Sequence, residues 1–156
     1  MTHHNPIRHA KVLRNKGDAL VELGNYEEAI SFYDQALEID PDDNDALNNK
    51  GLALHHMGKL DEAIACFDKA LEIDPTDSLG LSNKGDVLAD LQKYDQAISC
   101  YVESLTIYPD DVQTLGSQGV SLYHLGKYKH AIEYYDMALA IEPNDVVVLY
   151  NKSIAL

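Results

Sequence analysis

Apolar positions recur along the chain with the period of an α-helix. From Ala10 to Leu23, Leu13, Gly17 and Leu20 fall on one helical face. From Glu27 to Ile39, Ala29, Tyr33, Ala36 and Leu37 form an i, i+4, i+7, i+8 stripe. Between them Gly24-Asn25 supplies a turn, because glycine tolerates the left-handed backbone found at the end of a helix. Glu27 and Glu28 suit the positive end of the second helix. Pro41 cannot continue that helix and separates it from the next segment. The spacing therefore predicts a pair of helices closed by a proline.

The pair then repeats. Gly17, Gly51, Gly85 and Gly119 are 34 residues apart, as are Pro41, Pro75, Pro109 and Pro143, and Ala29, Ala63, Ala97 and Ala131. Leu13, Leu47, Leu81, Leu115 and Leu149 keep the same register, as do Tyr33, Phe67, Tyr101 and Tyr135. The chain thus divides into repeats 10–43, 44–77, 78–111 and 112–145 and a partial repeat 146–156, with 1–9 as an N-terminal extension. The acidic and Asn residues after each Pro, such as Asp42-Asp43-Asn44 and Asn144-Asp145, are natural N-caps. The Gly and Ala columns let the two helices approach, and the aromatic column is expected to fill the gap between repeats. A single helix pair cannot bury its apolar face alone, so stacked neighbours must bury it. The fold class expected is all-α, an α-solenoid of antiparallel helix pairs in one array.

These columns resemble the tetratricopeptide repeat. The first copy reads Leu13, Lys16-Gly17, Leu20, Ala29, Tyr33, Ala36 and Pro41, and three more copies keep the register. The resemblance implies a right-handed superhelix. The departures are a Leu in place of the family's Trp throughout, Lys16, Lys50, Lys84 or Gln118 at its first Leu, and a Leu at the helix-A Tyr. Gln92 also replaces the turn glycine in the third copy. The partial fifth copy, Val146 to Leu156, is apolar almost all round, whereas an end helix should present a polar outer face. A piece of a longer array, or a helix that docks on a second copy, is the expectation.

Composition narrows the function. The chain has 156 residues and a net charge of −14, with 12 Lys and Arg against 26 Asp and Glu. Nucleic acid is excluded as a partner, because duplex binding needs cations to displace phosphate counterions. Anionic membrane surfaces are excluded likewise, and no apolar run nears the ~20 residues of a membrane span. Residues 1–10 lack an apolar signal core. Cys66 and Cys100 lie one repeat apart, beyond the roughly 7 Å that a disulfide bridges. They read as reduced, buried, small apolar residues, with the cytoplasm as the default location.

No catalytic constellation stands out. There is no phosphate loop and no nucleophile elbow, and the carboxylates lie mainly in turns and on second helices. Asp40-x-Asp42-x-Asn44 starts like a calcium loop, but Asp45 and Gly51 stand where a Gly and a bidentate Glu are needed. His55-His56 are adjacent and point about 100° apart on a helix, and His3-His4 open the chain. No metal, no cofactor and no enzymatic activity are expected.

The resemblance implies a concave groove lined by the first helices, where partners bind as peptides. Mapped here it takes Arg14 and Asn15 from the first repeat, and Asn48, Asn49, Leu52 and His56 from the second. Leu79, Asn83 and Asp86 come from the third, Ser117, Val120 and Tyr123 from the fourth, and Asn151 from the last helix. Asn15, Asn49, Asn83 and Asn151 form a column broken by Ser117, and an amide ladder suits a peptide backbone. The family's clamp for acidic C-termini is matched by Arg14 and Asn49 but opposed by Asp18, Leu79 and Asn83. The face carries Lys11 and Arg14 against Asp18, Glu22, Asp45, Asp86 and Asp90, so a neutral or basic peptide with apolar anchors fits better. The reading is a protein- or peptide-binding scaffold. The alternatives are self-association through 146–156, which would make a homo-oligomer, and a regulatory repeat region of a larger protein.

Overall fold

The structure is a computed structural model and describes residues 5–156. The described residues form helices and turns only. The chain divides into two compact units, one ending at Pro75 and one starting at Thr76.

The first unit holds α1 (Pro6–Glu22), α2 (Tyr26–Ile39), α3 (Asn44–His56) and α4 (Leu60–Ile73). Each helix packs on the next, as in an α-solenoid, and the first helices α1 and α3 also touch. The second unit holds α5 (Ser78–Asp90), α6 (Tyr94–Ile107), α7 (Val112–His124), α8 (Tyr128–Ile141) and α9 (Val146–Ala155). It is built the same way, with α7 touching both α5 and α9.

Helix starts obey the cap chemistry expected from the sequence. Asp43, Asp77, Asp111 and Asp145 precede α3, α5, α7 and α9, and each side chain accepts a backbone N–H of the first turn. One boundary differs. Residues 6–9, expected in the N-terminal extension, form the first turn of α1. Asn5 caps it by accepting the Ile7 N–H, and Pro6 sits at the helix start, where its missing N–H costs nothing.

Within each repeat the first helix ends in the same double hydrogen bond. Gly24 N donates to Val21 O and Asn25 N to Leu20 O, and the pattern recurs at Gly58, Gln92 and Gly126. The residue at the bend has a positive φ each time, 78° at Gly24 and 61° at Gln92. Gln92 therefore adopts a conformation that glycine reaches without steric cost.

Each ring of the aromatic column packs on the glycine of its own repeat, and the column also reaches the next repeat as expected, with Tyr135 in one cluster with Val148 and Ala155. A Cβ built on Gly17, Gly51, Gly85 or Gly119 would lie 2.6, 2.6, 2.6 or 2.4 Å from Tyr33, Phe67, Tyr101 or Tyr135. The glycines are thus spaces for rings. Neither Cys66 nor Cys100 is in a disulfide, and both are half-buried, not fully buried as expected; burial pushes the Cys66 thiol pKa up.

Candidate functional site

The first-helix face of the first unit is organised around Asp18. Tyr33 Oη donates to Asp18 Oδ1 at 2.6 Å, and Asn49 Nδ2 donates to the same oxygen at 2.9 Å. Three elements, α1, α2 and α3, therefore meet at one carboxylate oxygen. Burial, the hydrogen bond to Asp18 and the Asp18 charge push the Tyr33 phenol well above its usual range, against the opposing pull of Arg14.

Arg14 pairs with the cap residue of α3. Its Nη1 donates to both carboxylate oxygens of Asp43 at 2.8 Å, with Asp45 at 3.8 Å. Asn15 is exposed and Leu52 half-buried. His56 is exposed and stacks on Tyr26, with ring centroids 5.1 Å apart and 7° between planes. Asn48 corrects an expectation: it is only 3% exposed and lies inside the unit, so it offers no amide at the surface.

The second unit repeats the motif. Asn15-Lys16-Gly17-Asp18 and Asn83-Lys84-Gly85-Asp86 are the same four residues. Tyr101 Oη donates to Asp86 Oδ1 at 2.6 Å, and the Ser117 hydroxyl hydrogen-bonds the same phenol. Burial and then the Asp86 charge push Tyr101 far up. Asn83 is a second correction: it is 8% exposed, and its Nδ2 has no partner. Leu79 is exposed, while Val120, Tyr123 and Asn151 are half-buried. Tyr123 meets the edge of His124, which stacks on Tyr94 at 4.8 Å.

The Asn column is therefore not one uniform ladder. Asn15 is open, Asn49 is bonded to Asp18, and Asn83 is buried. The Asp–Tyr pairs were missed, although two columns carry their signal. Asp18 goes with Tyr33 and Asp86 with Tyr101, whereas Leu52 goes with Phe67, which has no hydroxyl to place. Tyr135, opposite Val120 in this pairing, has no carboxylate there, and burial and then Tyr123 push it up to about 12.

A further column ties second helices to the first helices that come after them. Lys50 bonds Asp34 at 2.6 Å and Lys152 bonds Asp136 at 2.7 Å. Burial disfavours the Lys50 charge, but the hydrogen bond and attraction of Asp34 outweigh it and raise its pKa. Where Gln118 replaces Lys, Val102 replaces Asp. Among the described residues no group of three or more His, Cys, Asp or Glu could hold a metal, and His3-His4 lie outside them. No described helix is long and apolar enough to cross a membrane.

Two family models, both described as tetratricopeptide repeat, match residues 14–78 and 76–143. The chain belongs to the tetratricopeptide-repeat family. Solved structures share the fold. MamA from Desulfovibrio magneticus RS-1 superposes with a TM-score of 0.86 at 23% identity, over 94% of this chain and 82% of that one. PilF from Pseudomonas aeruginosa gives 0.89 at 24% identity, over 97% and 70%. A chain of the APC/C hetero-tetramer Cut9–Hcn1 gives 0.88 at 22%, over 94% and 30%. No curated protein sequence matches significantly. Tetratricopeptide arrays are protein-interaction scaffolds, which supports a protein as the partner of this array.

Proposed function

We propose that this chain is a non-catalytic adaptor that binds a peptide segment of its partner along the first-helix face, in the cytoplasm. The observation that carries the reading is the Asn49–Asp18 hydrogen bond, which brings side chains of two neighbouring first helices together on one face. In the first unit the half-buried Leu52 provides an apolar anchor on α3, and in the second unit the half-buried Tyr123 and the exposed Leu79 provide anchors on its own first helices. The acids of this face outnumber its cations, so the favoured ligand is neutral to basic.

The test is random-peptide display on the parent and on Asn15→Ala/Leu79→Ser. Both side chains are exposed, so the double variant should fold as the parent does. Peptides enriched on the parent and lost on the variant support the face as the binding site. Enrichment indifferent to the variant removes it.

One observation favours a second reading, association of copies through α9. Leu149 is 46% exposed, although its equivalent Leu115 is 1% exposed, and Val146, Val147, Tyr150 and Ile154 are exposed beside it. Light scattering over a concentration series should then show a mass that rises with concentration and falls back to the monomer in Leu149→Lys.

A further inference from the structure

Asp18 has an uneven carboxylate. Both donors, the Tyr33 hydroxyl and the Asn49 amide, go to Oδ1. Each carboxylate oxygen has about two lone-pair sites, so Oδ1 is filled. Among the described residues Oδ2 accepts no hydrogen bond. Among the described residues no cation is directly bonded to it, and Arg14, one turn earlier, bonds Asp43 instead. Lys11 is exposed in the first turns of α1, and Glu22 and Asp45 add negative charge on the same face. A carboxylate held by three elements, with one oxygen open, is a preorganised acceptor for a positive charge.

The geometry of the opening also selects the cation. An Arg guanidinium binds a carboxylate best as a fork, with one N–H on each oxygen. Oδ1 is already occupied, so the fork cannot close. A Lys ammonium is a compact point charge and needs only one oxygen. We infer that Asp18, fixed by Tyr33 and Asn49, is a receptor for a lysine of the bound peptide and discriminates against arginine at that place. The inference rests on the first-helix face being the peptide site. Asp86 and Tyr101 repeat the carboxylate–phenol pair in the second unit, with Ser117 bonded to the phenol.

Peptide display on the full chain supplies the probe. The most enriched peptide is synthesised as selected, then with Arg and with Gln in place of its shared cation, and binding is measured by calorimetry. The expected result is a shared Lys whose replacement by Arg weakens binding about tenfold, and by Gln at least as much. On Asp18→Asn, which keeps an acceptor for Tyr33, all three peptides should bind alike. On Tyr33→Phe/Asn49→Ala the carboxylate stays but Oδ1 is freed, so the Arg peptide should approach the Lys peptide. This variant decides the matter should Asp18→Asn not fold, and Phe67 shows that the repeat accepts Phe. Enriched peptides with no shared cation, or a Lys preference unchanged in both variants, overturn the receptor and leave the peptide face standing. No enrichment of any peptide overturns the face and the receptor with it.

Discussion

At the scale of single residues, glycine has two separate uses in this chain. At Gly24, Gly58 and Gly126 it serves the backbone, where φ is positive. Gln92 occupies the same conformation with a side chain. Replacing it should relieve strain of about 1 kcal/mol. Gln92→Gly should accordingly raise the urea midpoint, and an unchanged midpoint would show that Gln92 carries no strain. At Gly51 glycine serves packing, since a methyl there would meet the Phe67 ring at 2.6 Å. Gly51→Ala should destabilise by about 1–3 kcal/mol. Gly116 is the internal control. A methyl there meets only Val148 Cγ2 at 3.6 Å, ordinary contact, so Gly116→Ala should stabilise α7 by up to about 1 kcal/mol. Chemical denaturation of the two variants side by side checks the opposite signs.

At the scale of elements, the helix pairs are held by apolar columns and tuned by a few polar ones. The phenols of Tyr33 and Tyr101 link α2 to α1 and α6 to α5 through Asp18 and Asp86. Both are raised above the unfolded tyrosine value of about 10. The folded state therefore holds these protons more tightly than the unfolded state does. Their contribution is complete below about pH 10 and is lost as the pH rises beyond it. Denaturation midpoints from about pH 8 to pH 11 should fall above pH 10, and Tyr33→Phe/Tyr101→Phe should flatten that fall. An equally steep fall in the variant would place its origin elsewhere. Much of this level is legible in the sequence. The caps at Asp43, Asp77, Asp111 and Asp145, the Pro stops and the helix pairs all obey local rules. The seat of each ring was not legible, because a 34-residue period shows that Gly17 and Tyr33 recur together but not that one packs on the other.

At the scale of the whole molecule, the charge of −14 acts on every approaching partner. A Lys-bearing peptide should associate faster at low salt, and its association rate should drop severalfold from about 0.05 to 0.5 M salt, as the screening length shrinks. A neutral peptide of similar affinity should show a much flatter dependence by stopped-flow. Equal slopes would mean that the acidic field does not steer the ligand.

The sequence by itself determined the helices, their pairing, the repeat length and the family. Each of these rests on periodicity and on local capping, which act between residues close along the chain. The tertiary structure decided which of the mapped face residues are available. Arg14 is turned to Asp43, Asn48 is inside the unit, and Asn49 is spent on Asp18. Those outcomes depend on which side chain of one helix meets which of the next across a separation of about thirty residues, as between Asp18 and Asn49. A column of similar residues records position within the repeat. Hydrogen bonds depend on the neighbour actually present, and Asp18, Leu52, Asp86 and Val120 change that neighbour from one repeat to the next.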